Sequence, residues 1–219
     1  MKETILLLGK NGMLGQAIEK VVNLTPPTPP LVKGRKGGVI IAGGREELDI
    51  TNKKSVHTKI GALEPSIVVN ATGYTNVDGA ETDRETAYAV NAEGVGYLAE
   101  ICAKIGATLF HFSTDYAFDG SQPQGYREDD EVHIGPVNVY GESKLDGESR
   151  IKNQELRGLR YFIIRTSWLY GAGGKNFVDT MISLAKSGKT ELKVVNDQFG
   201  NPTYTADLAE RVLWMIERE

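Results

Sequence analysis

Short apolar runs alternate with stretches of helical periodicity along most of the chain. The runs that predict buried strands are Thr4–Leu8, Val39–Ala42, Ile67–Asn70, Thr108–Ser113 and Tyr161–Arg165. Between them, apolar positions recur at helical spacing over Met13–Val22, Glu85–Ile105 and Tyr140–Ile151. Strands that alternate with helices of this length predict an α/β fold, a doubly wound parallel sheet of the Rossmann type with right-handed crossovers.

Two stretches depart from this alternation. Asn23–Gly38 contains four prolines and predicts an exposed loop or insertion. In residues 170–219, the predicted elements are helices Phe177–Ala185 and Thr205–Ile216 and a short strand Leu192–Val195. We interpret residues 1–169 as a dinucleotide-binding domain and residues 170–219 as the start of a small C-terminal substrate lobe. We expect that lobe to be incomplete, because chains of the family whose motifs are given below usually continue beyond this point.

Composition and charge restrict the class of protein. Hydrophobic residues make up 40% and charged residues 25% of the 219 positions, as in ordinary globular proteins. The net charge of −4 argues against nucleic acid or a membrane surface as a partner. The single cysteine, Cys102, excludes an internal disulfide, and the three histidines lack metal-like spacing, so no metal site is predicted. No signal sequence or apolar span is visible, and a cytoplasmic enzyme is expected.

A glycine-rich loop follows the first predicted strand. Its sequence is GKNGMLG, with Gly9, Gly12 and Gly15 at three-residue intervals. Glycine permits a tight turn and a close approach of backbone to a pyrophosphate, and the helix that follows directs its free N–H groups at the phosphates. A tight strand-to-helix turn without a ligand is the alternative. The position after an N-terminal strand favours a dinucleotide site.

Two further segments fit a cofactor groove. Asp49 follows the second strand, where its carboxylate could either reach the adenine end of a cofactor or cap a helix. Asn70–Tyr74 (NATGY) lies at the carboxyl end of the third strand, where ligands bind in open α/β sheets. The small residues Ala71 and Gly73 would let a cofactor lie close to the backbone there.

The pair Tyr140 and Lys144 predicts catalytic chemistry. The two residues stand four apart on one face of a helix. A lysine ammonium at that distance is expected to lower the pKa of the tyrosine, which can then give a proton to a carbonyl oxygen as hydride arrives at its carbon. The lysine can also hydrogen-bond the ribose hydroxyls of the cofactor. A solvated helix pair is the alternative.

Hydroxyl side chains end the fourth strand. Thr114 stands just past the strand end, where its hydroxyl could polarise a substrate carbonyl beside the tyrosine. Ser113 is the competing candidate for that role and a candidate contact to the cofactor.

At the level of longer motifs, the chain resembles the dTDP-4-dehydrorhamnose reductase family of extended short-chain dehydrogenases. The matching stretches are Asn70–Asp78, Ala89–Gly94, Ser113–Gly120, Asn138–Glu148, Arg165–Gly171 and Val195–Ala209. The resemblance implies reduction of the C4 ketone of dTDP-4-dehydro-L-rhamnose by NAD(P)H, with Tyr140, Lys144 and Thr114 as catalytic residues. It implies substrate contacts from Asp115 and Trp168. It implies cofactor contacts from Gly12, Met13, Leu14, Asp49, Ile50, Thr72, Gly73 and Tyr74.

Cofactor choice is predicted at the end of the second strand. Gly44 stands where relatives often carry an aspartate that repels a 2′-phosphate, and Arg45 follows it as a candidate partner for that phosphate. The sequence therefore predicts a preference for NADPH, with NADH possible. In the alternative interpretation, Gly43-Gly44 only makes a turn and Arg45 points to solvent.

Two other functions fit the same scaffold. One is a non-catalytic regulatory subunit like that of methionine adenosyltransferase, which the intact Ser113–Asp115 and Thr166–Trp168 stretches disfavour. The other is a sugar-nucleotide epimerase or dehydratase. Dehydratases usually place an acid pair after the strand-end threonine, whereas Tyr116 follows Asp115 here. A homodimer is a possible assembly.

Overall fold

The computed structural model describes residues 4–24 and 39–219, and its centre is a parallel sheet of five strands. The strands are β1 Thr4–Leu8, β2 Val39–Gly43, β3 Ile67–Asn70, β4 Thr108–Thr114 and β5 Arg160–Thr166. They pair in the order β2-β1-β3-β4-β5. The reversal of strand order between β1 and β3 is the switch point at which ligands bind in such sheets. The predicted doubly wound parallel sheet is confirmed.

Helices cover both faces of this sheet. They are α1 Met13–Leu24, α2 Lys53–Leu63, α3 Val77–Ala80, α4 Arg84–Tyr88, α5 Gly94–Ile105, α6 Val139–Lys152, α7 Phe177–Lys186 and α8 Thr205–Ile216. One core cluster joins the sheet to α2 and α5 through residues such as Val68, Ile60 and Leu98. The other joins it to α1 and α8 through residues such as Val69, Ile18 and Val212.

Helix α8 therefore packs against the sheet core, beside α1. The division of the chain into residues 1–169 and 170–219 stays a prediction, but α8 contributes Ala209, Val212, Leu213 and Ile216 to the core of the first unit. Burial of these four side chains against β-strand residues explains why their helical spacing was visible in the sequence.

The predicted single helix over Glu85–Ile105 is wrong in its middle. Helix α4 ends at Tyr88, a π-helical turn spans Ala89–Glu93, and α5 begins at Gly94. The buried Asn91 side chain in that turn accepts from the backbone N–H of Tyr74 at 2.9 Å and donates to the Tyr74 carbonyl at 3.0 Å. The widened turn holds Asn91 at this bridge to the NATGY segment.

The prediction of a strand at Leu192–Val195 is also wrong. These residues are irregular and Val194 and Val195 are exposed, and no strand within residues 4–24 and 39–219 pairs with them. The small second sheet pairs β6 Leu169–Tyr170 with β7 Thr203–Tyr204 instead. Of the predicted loop Asn23–Gly38, Asn23 and Leu24 belong to α1, and the rest lies outside the described residues.

Helix α2 was not predicted. Its only buried residues are Val56 and Ile60, a single pair at helical spacing, which is too weak a pattern to separate from a loop. Its start is set by Asn52, whose side chain accepts from the Ser55 N–H at 2.9 Å.

Candidate active site

Helix α6 is held with its N-terminus at the carboxyl end of β4. Asn138 caps the helix by accepting from the Gly141 N–H at 2.8 Å, and Glu81 accepts from the Val139 N–H at 3.0 Å. A Cβ on Gly141 would stand 2.3 Å from the Tyr116 carbonyl oxygen, so only glycine permits this close approach. The predicted catalytic helix is thus fixed beside the segment that follows β4.

Lys144 lies buried between α6 and the ends of β3 and β4. Its ammonium donates to the Phe112 carbonyl at 2.6 Å, and a Cβ on Gly73 would stand 3.9 Å from its Nζ. Burial lowers the pKa of Lys144 to about 8, against a smaller raising influence of Glu148. The lysine is therefore still mostly protonated at neutral pH and faces the NATGY segment, where the sequence predicted a cofactor groove.

The expectation that Lys144 lowers the pKa of Tyr140 is wrong for this structure. Burial raises the pKa of Tyr140, and the charge of Asp115 raises it further, while a hydrogen bond with Thr114 lowers it in part. Lys144 directs its ammonium at the Phe112 carbonyl rather than at the phenol. The phenol consequently stays protonated at neutral pH, which is the state that a proton donor needs.

The hydroxyl of Thr114 lies beside that of Tyr140 and lowers the pKa of the phenol in part. Thr114 is buried; its hydroxyl donates to the Asp115 carboxylate at 3.2 Å and accepts from the Tyr116 N–H at 3.2 Å. Burial raises the pKa of Asp115, although its hydrogen bonds with Thr114 and the backbone oppose this. Tyr140, Thr114 and Asp115 therefore form one cluster at the carboxyl edge of the sheet.

Ser113 does not compete with Thr114. Successive residues of a strand point to opposite sides, and the Ser113 hydroxyl donates to the buried Glu148 carboxylate at 2.5 Å. This hydroxyl is committed to an interior ion pair and turned away from the cluster around Tyr140. In this structure the Ser113 hydroxyl is therefore occupied by Glu148, and its predicted contact to the cofactor stays a prediction.

The glycine-rich loop packs tightly against neighbouring backbone at Gly9 and Gly15 and has open space beside Gly12. Gly9 has φ +85°, and a Cβ there would stand 2.6 Å from the Ala71 carbonyl oxygen. A Cβ on Gly15 would stand 2.1 Å from the Gly9 carbonyl oxygen, whereas one on Gly12 would meet only that oxygen, at 3.4 Å, among the described residues. The loop thus packs tightly on the NATGY segment and leaves its outer side free, which fits a bound pyrophosphate.

Arg45 and Asp49 are paired with each other. The Arg45 Nε stands 3.1 Å from the Asp49 carboxylate, which also accepts from the Thr51 N–H at 2.9 Å. Partial burial raises the pKa of Asp49, but the bonds from Thr51 and Arg45 outweigh it and the net shift is downward. Because the arginine side chain is largely exposed, it can turn from this carboxylate to a phosphate without a large cost of desolvation.

The remaining predicted residues divide between the loop and the core. Met13 lies against Gly174, so residues after β6 cover the start of α1. Leu14 and Ile50 are buried in the two core clusters, which leaves only their backbone for the groove. Trp168 is 44% exposed with φ +45°, and its ring packs on Gly200.

Two contacts of the site were not predicted. Gln16 donates to the Asn11 carbonyl and to the Gly173 carbonyl, both at 2.9 Å, and so connects the glycine-rich loop with the segment after β6. The buried pair of Glu148 and Arg165 lies behind the catalytic helix. Gln16 and Gly173 are far apart in the chain, and Glu148 and Arg165 lie on different elements, so no local sequence pattern predicts either contact.

Comparison with known proteins agrees with this geometry. The family model described as the RmlD substrate binding domain matches residues 1–219. The chain belongs to this RmlD family.

The curated relatives of this chain are longer than the chain itself. It is 39% identical to the dTDP-4-dehydrorhamnose reductase of Aggregatibacter actinomycetemcomitans, over 98% of this chain and 67% of that protein. It is 44% identical to the dTDP-4-dehydrorhamnose reductase of Streptomyces griseus, over 94% of this chain and 63% of that protein. The chain spans about two thirds of the length of these curated relatives.

A solved structure has the same fold. The crystal structure of dTDP-4-dehydrorhamnose reductase from Bacillus anthracis in complex with NADP superposes with a TM-score of 0.86 at 40% identity, over 99% of this chain and 71% of that one.

The described residues of the RmlD chain contain no cluster of three or more metal-ligating side chains. No helix among the described residues is long and apolar enough to cross a bilayer.

Proposed function

We propose that this RmlD chain reduces the C4 ketone of a nucleotide-activated 4-keto-6-deoxysugar, dTDP-4-dehydro-L-rhamnose, to the alcohol dTDP-L-rhamnose. The observation that carries the proposal is the meeting of the Tyr140 and Thr114 hydroxyls beside the buried Lys144, at the edge of the sheet that also holds the glycine-rich loop. Reduction of a ketone needs a proton donor next to a hydride donor, and this edge offers both places.

Each side chain has a separate task in this proposal. Tyr140 gives its phenolic proton to the ketone oxygen. The Tyr116 N–H fixes the neighbouring Thr114 oxygen, and when substrate binds the hydroxyl turns its single proton from Asp115 to the same ketone oxygen. Lys144, held by the Phe112 carbonyl and facing the NATGY segment, binds ribose hydroxyls of the cofactor.

The cofactor site is proposed at the groove between the glycine-rich loop and the NATGY segment. The open side of Gly12 and the N-terminus of α1 would bind the pyrophosphate, and Arg45 would pair with a 2′-phosphate. When bound, NADPH supplies the hydride. The complex of the Bacillus anthracis relative with NADP supports this choice, and NADH remains the second cofactor to be tested.

The sugar-nucleotide assignment comes from the relatives. Two curated proteins at 39% and 44% identity are named dTDP-4-dehydrorhamnose reductases. The family resemblance assigns substrate contacts to two residues, Asp115 and the exposed Trp168. We place the reaction in the cytoplasm, where reduced nicotinamide cofactors are maintained, and a homodimer stays a prediction.

The test is NADPH oxidation with dTDP-4-dehydro-L-rhamnose, run beside the UDP- and GDP-linked analogues. The expected result is turnover with the dTDP sugar that exceeds turnover with the analogues. Binding of cofactor and sugar nucleotide without turnover would instead support a non-catalytic regulatory protein on this fold. Interconversion of sugar epimers without net oxidation of NADPH would support an epimerase.

A further inference from the structure

A third residue lies on the same face of α6 as the two proposed catalytic side chains. Tyr140, Lys144 and Glu148 follow one another at four-residue intervals, which stacks them along one side of the helix. Glu148 is only 1% exposed. A carboxylate buried this deeply requires partners for its oxygens, and those partners show what it holds in place.

Glu148 connects α6 to two neighbouring strands. One carboxylate oxygen accepts from the Ser113 hydroxyl at 2.5 Å and from the Arg165 Nε at 2.9 Å. The other accepts from the Arg165 Nη2 at 2.7 Å. Ser113 on β4 and Arg165 on β5 are direct neighbours in the sheet register. A bidentate arginine and a hydroxyl leave the carboxylate little freedom of orientation.

The contacts of Lys144, Glu148 and Arg165 involve residues on both sides of Thr114 in the chain. Lys144 is hydrogen-bonded to the Phe112 carbonyl, and Glu148 to the Ser113 side chain. Helix α6 is therefore hydrogen-bonded to the two residues directly before Thr114. On the other side, the Arg165 guanidinium lies 4.7 Å from the centre of the Phe118 ring, in the segment that follows Thr114. One ion pair thus contacts the structure before and after the proposed carbonyl-orienting hydroxyl.

We infer that Glu148 is a positioning residue of the proposed reductase, which sets the register of helix α6 against the end of β4 and thereby the approach of the Tyr140 hydroxyl to that of Thr114. The inference rests on the proposed function for its consequence in turnover. Glu148 does not touch the reacting centre and acts on it through Ser113, Arg165 and Lys144.

The electrostatics around Lys144 agree with this role. Two titratable groups interact directly with Lys144, Glu148 on α6 and His111 on β4. The charges next to these and to the neighbouring Tyr140 are Arg165, which pairs with Glu148, and Asp115, which acts on Tyr140. Burial, and to a lesser degree Lys144 itself, lowers the pKa of His111 well below its ordinary value, so that ring is neutral. Glu148 raises the pKa of Lys144 against the effect of burial. Removal of the Glu148 charge should therefore lower the pKa of Lys144, so that the lysine loses its proton at a lower pH than in the wild type.

The experiment compares Glu148→Gln with Asp146→Asn on the same helix. Asp146 pairs with Arg150 at 3.2 Å in a partly exposed i,i+4 bridge, so its variant removes a carboxylate–arginine pair away from the site. We expect Glu148→Gln to lower kcat roughly 10-fold or more through misplacement of Tyr140, with the KM for the sugar nucleotide changed far less. We expect Asp146→Asn to behave as wild type.

A second readout does not depend on the sugar. NADPH affinity, followed by fluorescence across pH, should fall as Lys144 loses its proton, and Glu148→Gln should move that fall to lower pH. A wild-type profile in Glu148→Gln would overturn the inference. If the wild type turns over no sugar nucleotide, the proposed function fails, and this binding profile alone decides the role of Glu148.

The single variant leaves Arg165 without its charged partner and risks misfolding. The double variant Glu148→Gln/Arg165→Met removes the unpaired charge and serves as the folded comparison, with its thermal melting checked first. We expect it to melt as a folded protein and still lose kcat, with the Lys144-dependent fall in NADPH affinity at lower pH. Wild-type kcat in that folded double variant would overturn the inference.

Discussion

Replacement of Tyr140 by Phe is the most direct test of the proposed chemistry. The change removes one hydroxyl and leaves the ring, which packs edge-on against Tyr116 with 5.9 Å between ring centres. Thr114 keeps two hydrogen bonds, to Asp115 and from the Tyr116 N–H, so no buried group is left without a partner. The expected loss of folding stability is therefore about 1 kcal/mol or less.

The expected loss of catalysis is much larger. General acid catalysis contributes about 10²- to 10⁴-fold, so turnover should fall by at least roughly 100-fold, or about 2.7 kcal/mol in the activation free energy. NADPH binding should be nearly unchanged because Lys144 and the glycine-rich loop are intact. The assay follows the decrease in NADPH absorbance with the dTDP sugar under saturating substrate, next to cofactor titration by fluorescence. Near-normal kcat in a folded Tyr140→Phe protein would refute the proton-donor assignment.

Three further predictions concern Lys144 and Arg45. Lys144→Met should weaken both NADPH affinity and turnover, and a variant that loses turnover alone, with cofactor Kd unchanged, would contradict a ribose contact. Because the pKa of Lys144 is lowered to about 8 in the folded protein, the unfolded state binds more protons between that pH and about 10.5, so folding stability should rise with pH across this window, by up to roughly 3 kcal/mol. Urea unfolding of the wild type at both ends of the window should show this rise, and Lys144→Met, in which the same change is absent, isolates the contribution of the lysine. Arg45→Ala should lower the ratio of kcat/KM for NADPH to that for NADH, mainly through the KM for NADPH, whereas Asp49→Asn, which releases Arg45 from its partner, should raise it; an unchanged ratio in both variants would show that this pair has no part in cofactor choice.

The sheet and its site could be largely predicted from local pattern, for a physical reason. Strands buried on both faces must be continuous apolar runs, and β1, β3 and the later strands are visible as such. Positions whose backbone conformation requires glycine, such as Gly9 with its positive φ, can also be recognised in the sequence as single residues. The spacing of Tyr140 and Lys144 follows from helix geometry alone. The doubly wound fold and the placement of Tyr140 and Lys144 on one face of a helix were therefore within reach of the sequence.

Tertiary structure decided where the side chains of this framework point. Ser113 and Thr114 are adjacent hydroxyls in the sequence, and only the position of α6 directs one at Glu148 and the other at Tyr140. The predicted pKa of Tyr140 was wrong because burial depends on all surrounding elements, whereas the four-residue spacing reports only one neighbour. The π-helical turn at Asn91 likewise occurs where that side chain bonds to the backbone of Tyr74, a residue outside the helix. Such contacts join distant parts of the chain, and a pattern read along the sequence contains no distance between them.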